Sequence, residues 1–251
     1  MDSVKNYIVE ALKDQKEIFG DLLFEPEVKI KIEEPSEIKS DKWHVAEKTE
    51  VKKDSDLFME DFQKAGTINE LNEMINGCLK CSLGKTRKSF VFGDGNPNAD
   101  VMLIGEAPGA DEDEQGIPFV GRAGKKLTEI LNAINFEREE VYIANIIKCR
   151  PPNNRNPLPE EMETCIPYLY KQIELVKPKA ILCLGLVASH ALLKNKATLT
   201  SLRGNVYEFN NIKVMATYHP AALLRNPNWK RGCWEDVQKF RKLYDELVKR
   251  N

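Results

Sequence analysis

Glu106 lies in Gly105-Glu106-Ala107-Pro108-Gly109, directly after the apolar run from Ala99 to Ile104. A carboxylate there would stand at the carboxyl end of a strand, where open α/β sheets place their ligands, and could do chemistry in a pocket. Asn145 falls near the carboxyl end of the apolar segment Val141-Tyr142-Ile143-Ala144-Asn145-Ile146-Ile147. Its amide offers a donor and an acceptor on one edge, which suits reading a ligand, although neighbouring backbone could satisfy it instead. His219, one of three histidines, precedes the proline-rich loop from Pro220 to Pro227. A lone histidine is more often structural than catalytic, but this setting favours chemistry. Cys78-Leu79-Lys80-Cys81 is a C-x2-C pair, and Cys149 and Cys165 have fifteen residues between them. Four thiolates from two loops can bind zinc or an iron–sulfur cluster, and spacing alone does not separate the two. The plainer readings are a redox pair or four unrelated cysteines, although a redox C-x2-C usually opens a helix in a βαβ unit. Cys183, inside Ala180-Ile181-Leu182-Cys183-Leu184, and Cys233, beside Trp234, read as packing.

The elements that must position these groups follow from apolar periodicity. Short apolar runs at about 100–105, 141–146, 180–184 and 212–217 predict buried strands, with helices at about 124–134, 159–176, 186–194 and 230–249. Strands alternating with helices predict a three-layer α/β/α sandwich around a central, mostly parallel four-stranded sheet. Val206 to Phe209 would add a hairpin partner to the last strand, and Leu57 through Ile75 predicts one or two helices. Glu106, Asn145 and His219 then all fall at carboxyl ends of strands, where open α/β sheets bind ligands. The loop Pro118-Phe119-Val120-Gly121-Arg122-Ala123-Gly124 carries little bulk and leads into a helix, so it joins the same expected pocket.

The chain has 251 residues and a net charge of −2. Residues 1–66 hold 11 Lys/Arg against 17 Asp/Glu, and the rest holds 26 against 22. The mildly basic remainder is compatible with a phosphate-rich partner without demanding one. Residues 1–24 predict an amphipathic helix, with apolar positions at helical spacing from Val4 to Leu23, and 25–56 reads as a disordered linker rich in Glu, Lys, Ser and Pro. Residues 57–251 form the expected α/β/α domain. No run approaches the roughly 18 apolar residues of a membrane span, and no secretory signal is evident. The expectation is a cytoplasmic protein without structural disulfides or membrane association.

From about Leu71 onward the chain resembles the family 4 uracil-DNA glycosylases, the bacterial and archaeal iron–sulfur branch of the uracil glycosylase superfamily. The resemblance rests on Gly105–Gly109, Pro118–Gly124, Asn145 with Lys148-Cys149-Arg150-Pro151-Pro152, and His219-Pro220-Ala221-Ala222-Leu223-Leu224-Arg225, in that order. The four cysteines match the family's cluster spacing, and residues 1–65 fall outside the match.

The resemblance implies a monofunctional DNA repair enzyme that flips uracil from single- or double-stranded DNA and hydrolyses its N-glycosidic bond, leaving an abasic site without a lyase step. Cys78, Cys81, Cys149 and Cys165 would hold a [4Fe-4S] cluster. Phe119 would stack on the base, Asn145 would read its edge, and Gly105 and Ala107 would line the pocket. Glu112 would crowd the side where thymine carries its methyl group. Glu106 would position water, and His219 would hydrogen-bond the uracil carbonyl. Leu223 and Leu224 would wedge the base stack, with Arg225 on a phosphate. The resemblance further implies a monomer in a bacterial or archaeal cytoplasm, associated with the nucleoid. The amino-terminal helix would dock on the domain or on a protein partner. The alternatives are a uracil-DNA binding or crosslinking module without turnover, and an interaction protein acting through that helix. A crosslinking relative carries an Arg-rich, His-containing insertion where Lys125-Lys126-Leu127 here enters the helix directly.

Overall fold

A computed structural model describes residues 60–249; the helix expected within 1–24 and the linker at 25–56 lie outside the described residues. Six strands form one sheet: β1 (Asp94–Gly95), β2 (Val101–Gly105), β3 (Tyr142–Asn145), β4 (Ala180–Leu184), β5 (Tyr207–Phe209) and β6 (Ile212–Thr217). Their spatial order is β1-β3-β2-β4-β6-β5. The four expected strands, β3, β2, β4 and β6, run parallel through the middle. β1 and β5 add an antiparallel strand at either edge, so the sheet has six strands rather than four. β1 is Asp-Gly, which carries no apolar signal. β5 is the hairpin partner expected before the last strand. Its turn uses Asn210 and Asn211, both at positive φ (49° and 65°), the conformation a tight hairpin turn demands and asparagine tolerates.

The longer helices are α1 (Ile68–Ile75), α2 (Ala110–Gln115), α3 (Arg122–Ala133), α4 (Pro159–Val176), α5 (Leu186–Leu193), α6 (Leu199–Leu202), α7 (Pro220–Arg225) and α8 (Lys230–Lys249). Successive strand residues point to opposite faces. Met102, Ile104, Ile181 and Cys183 therefore pack in one layer with residues of α1, α4 and α5. Val101, Leu103, Leu182 and Leu184 pack in the other with residues of α3 and α8. Burying one such side chain contributes about 1.5–3 kcal/mol, so layer packing outweighs helix propensity in holding these elements. α4 carries Cys165 and starts sharply: Pro159 takes the first turn, and the Leu158 N–H donates to Glu161 Oε2 at 2.8 Å.

β2 connects toward β3 on one side and β4 toward β6 on the other. The loops leaving these two neighbours therefore part at the carboxyl edge, which opens the ligand crevice typical of open α/β sheets. Among the described residues, no helix is long and apolar enough to cross a membrane.

Candidate active site

Hydrogen bonding between β2 and the segment after β3 continues beyond the strand ends. Gly105 O accepts from the Ile146 N–H at 3.0 Å, and Glu106 O accepts from the Ile147 N–H at 2.9 Å. Glu106 is thereby held on rigid backbone, while its half-buried side chain has no hydrogen-bond or ionic partner among the described residues. Burial pushes its carboxyl up to about 7, because a low-dielectric surround penalises the anion.

Asn145 lies opposite Gly105 in the β2–β3 ladder and is buried. Its Oδ1 is an enclosed acceptor without a donor. Leaving such an atom unpaired costs about 1–3 kcal/mol, which marks the place where a ligand N–H would be welcome. Phe119 closes the same corner. It adopts φ 53°, uncommon for a bulky residue, and its ring edge would lie 2.6 Å from a Cβ on Gly105. Gly124 makes that fold possible, since a Cβ there would fall 1.9 Å from Phe119 O.

The acidic run after Gly109 is helix α2 rather than a merely solvated surface. Asp113 is buried and accepts from the N–H groups of Lys88 and Ser89 at 2.9 and 3.3 Å. Glu112 Oε2 accepts from the Gly109 N–H at 3.0 Å, and Oε1 accepts from the Val120 and Gly121 N–H groups, both at 3.0 Å. The carboxylate expected to screen a methyl group thus ties the loop after β2 to the Phe119 loop.

His219 caps the start of α7. Its Nδ1 accepts from the Ala221 N–H at 3.2 Å, so a neutral ring carries its proton on Nε2. Burial, with help from Arg225, pushes its pKa down to about 4. The ring centre lies 5.5 Å from that of Phe119. Gly185, after β4, is a site residue that motif reading passed over. At φ 94° it lets the strand end approach His219, whose Cβ would be 3.1 Å from a Cβ at this position. Its signal was a glycine between an apolar strand and a helix, the same signal that marks Gly105.

The two candidate wedge leucines part company. Leu223 is 2% exposed and belongs to the core layer of α3 and α8, whereas Leu224 is 37% exposed. Leu223 therefore does not stand free as a wedge, which corrects the paired expectation. Arg225 is exposed beside Leu224.

Cys78 and Cys81 are half-buried and Cys149 and Cys165 buried; all four are free thiols. Cys149 Sγ accepts from Arg87 Nη1 at 3.1 Å, and Cys78 Sγ accepts from the Tyr168 hydroxyl at 3.2 Å. Burial pushes the Cys165 thiol up to about 12, opposed by Lys148; the Cys149 thiol is also raised by burial, with Arg87 opposing. Among the described residues, no group of three or more His, Cys, Asp or Glu side chains is set to hold a single metal ion. A four-iron cluster binds each thiolate through a different iron, so its ligands stand further apart than those of one ion. The donor chemistry fits such a group: four free thiols, one of them under the Arg87 guanidinium.

A model of the uracil DNA glycosylase superfamily matches residues 92–243. A type-4 uracil-DNA glycosylase of Archaeoglobus fulgidus is 44% identical over 185 residues, 70% of this chain and 93% of that protein. Type-4 uracil-DNA glycosylases of Saccharolobus solfataricus and Thermotoga maritima are 45% and 43% identical, over 69% and 67% of this chain and 85% and 90% of their own lengths. With that match spanning the sheet, the loops at its carboxyl edge and most of α8, the chain belongs to the uracil DNA glycosylase superfamily.

Proposed function

We propose that this protein is a uracil-DNA glycosylase of DNA repair, hydrolysing the bond between uracil and deoxyribose and leaving an abasic site. The observation that carries the reading is the unpartnered Oδ1 of Asn145, buried against Phe119 at the bare end of β2, in a chain similar to type-4 uracil-DNA glycosylases over most of its length. Uracil brings an N–H to that acceptor. Cytosine brings a lone pair instead and leaves the Asn145 Oδ1 unsatisfied, which is how a polar site rejects a near-isostere.

The base is extruded from single- or double-stranded DNA, since no enzyme reaches this bond inside a duplex. Leu224 fills the gap in the base stack, Arg225 meets a phosphate, and Phe119 stacks on the extruded ring. The Ala107 N–H and the bare Gly105 leave room for its edge. As the bond breaks, negative charge gathers on the uracil carbonyl and positive charge on the sugar. The neutral His219 donates its Nε2–H to that carbonyl, a contact worth about 3–4 kcal/mol when preorganised. Glu106, once ionised, holds the attacking water and faces the cationic sugar. Glu112 acts through the loops it joins rather than on the base.

Cys78, Cys81, Cys149 and Cys165 would hold a [4Fe-4S] cluster, which when bound supplies thiolate–iron bonds that staple the 78–81 loop to the segment between Cys149 and Cys165. Hydrolysis transfers no electrons, so its task is structural. We further propose that the protein acts as a monomer in the cytoplasm, on the nucleoid.

The test is release of free uracil from a single-stranded oligonucleotide by the purified chain, with the strand cut only after alkali. Failure of a folded, cluster-loaded sample to release uracil overturns the reading, and strand cutting without alkali overturns the monofunctional assignment.

A further inference from the structure

Two tryptophans stand exposed among the described residues, Trp229 at 39% and Trp234 at 42%. Trp229 ends the short turn Pro227–Trp229 that joins α7 to α8. Its ring is fixed from below. It stacks on Tyr218 with ring centres 4.9 Å apart and planes 13° from parallel. Tyr218 is held in turn by Arg203, whose guanidinium carbon lies 4.0 Å from the ring centre and whose Nη1 donates to the hydroxyl at 2.7 Å. Arg203 Nε donates to Asp236 Oδ2 at 2.6 Å, and the same oxygen accepts from the Thr217 hydroxyl at 2.8 Å. Asp236 and Thr217 are buried. Gly232 gives Arg203 its path, since a Cβ there would fall 2.5 Å from Nη2. A buried ion pair adds little net stability once desolvation is counted. What it supplies here is a rigid support under an indole that faces water.

This stack borders the site. Tyr218 is the chain neighbour of His219, and Trp229 follows the segment that carries Leu224 and Arg225. Residues 220–234 hold Arg225, Lys230 and Arg231 and no carboxylate. Arg231 pairs with Glu235, whereas the exposed Arg225 and Lys230 have no acidic partner among the described residues. An exposed aromatic ring bordered by free cations suits single-stranded nucleic acid: the ring takes a base face and the cations take the backbone. We infer that Trp229 is a stacking platform for an unpaired base of the substrate strand, flanking the extruded uracil. The inference rests on the glycosylase reading for its substrate and adds a second base contact to it. A base inside a duplex keeps its stacked neighbours and offers no free face, so the platform serves single-stranded DNA. Leu224 and Trp229 thus divide the work: the wedge acts where a base stack must be opened, the platform where none exists.

The experiment measures binding of a uracil-free oligonucleotide, single-stranded and as the matching duplex, to the full chain and to its Trp229→Ala and Trp229→Phe variants. Trp229→Ala should bind the single strand about tenfold more weakly, the loss expected for one base–aromatic stack. Its duplex affinity should stay at the wild-type level, and Trp229→Phe, which keeps a ring, should recover most of the single-strand affinity. Wild-type single-strand binding by Trp229→Ala overturns the inference, and is the result expected if the indole serves a protein partner instead. Equal loss on single strand and duplex overturns it as well, because a loosened fold or a lost backbone contact would weaken both. Should the Ala variant not fold, tryptophan emission decides. The single strand should quench the emission of wild type, and quenching that is absent there, or that persists undiminished in Trp229→Phe, overturns the platform. Because these oligonucleotides carry no uracil, a chain that binds them through Trp229 yet releases no uracil from a uracil-containing strand fails the glycosylase reading alone.

Discussion

A Cβ placed on Gly105 would fall 2.4 Å from Oδ1 of Asn145, its partner across the β2–β3 ladder, and 2.6 Å from the Phe119 ring edge. The bare strand end is what allows the Asn145 amide and the Phe119 ring to share one corner. Gly105→Ala should therefore displace both, lowering uracil release by about 100-fold, the cost of a roughly 1 Å misplacement at a reacting centre. The strain should lower stability by about 1–3 kcal/mol. Initial rates and a thermal melt check this; a rate close to wild type would remove Gly105 from the site.

The pH profile separates Glu106 from His219. In the proposed mechanism Glu106 works as the anion, and burial pushes its carboxyl up to about 7. Protonation below that point disarms it, so the rate of uracil release should climb as pH rises through about 7 and level off above. His219, pushed down to about 4, is neutral throughout that range and contributes nothing to the limb. Glu106→Gln should cost at least about tenfold in rate and abolish the limb. His219→Asn should cost about 100-fold and keep it. A limb surviving in Glu106→Gln would assign it to a different group.

Glu112 joins two loops through three backbone N–H groups. Glu112→Ala leaves those donors without their acceptor and frees the Phe119 loop, so the rate on uracil should fall at least about tenfold. Discrimination against thymine should stay unchanged, because the carboxylate is spent on backbone. Appreciable thymine release by the variant would restore the methyl-screening role expected from the sequence.

Leu223 and Leu224 should behave oppositely on truncation. Leu223→Ala opens a cavity in the α3–α8 layer and should cost about 2–5 kcal/mol of stability. Leu224→Ala, on an exposed side chain, should leave the melt within about 0.5 kcal/mol of wild type. It should slow uracil release from duplex DNA while sparing single-stranded substrate, where no base stack needs to be held open. Equal loss on both substrates would exclude the wedge.

What the sequence determined by itself was the order of elements and the types of group at the carboxyl edge. Four apolar runs of strand length, separated by helical periodicity, suffice for a three-layer sheet because burial on both faces leaves few other arrangements. Glycines and prolines then mark where those strands end, and so where Glu106, Phe119, Asn145 and His219 stand. The tertiary structure decided what depends on neighbours distant in sequence. Adjacent leucines on a helix point about 100° apart, and only the packing of α7 shows that Leu223 faces the core. β1 has no apolar residue and exists because β3 offers it an open edge. Glu112 reads as one acid among several until folding brings the N–H groups of Val120 and Gly121 to it. Lys148 looks like an ordinary surface lysine beside Cys149, and only the fold shows it buried against Gln172 of α4. Burial likewise sets the ionisation of Glu106 and His219, because desolvation belongs to the assembled site rather than to the residue.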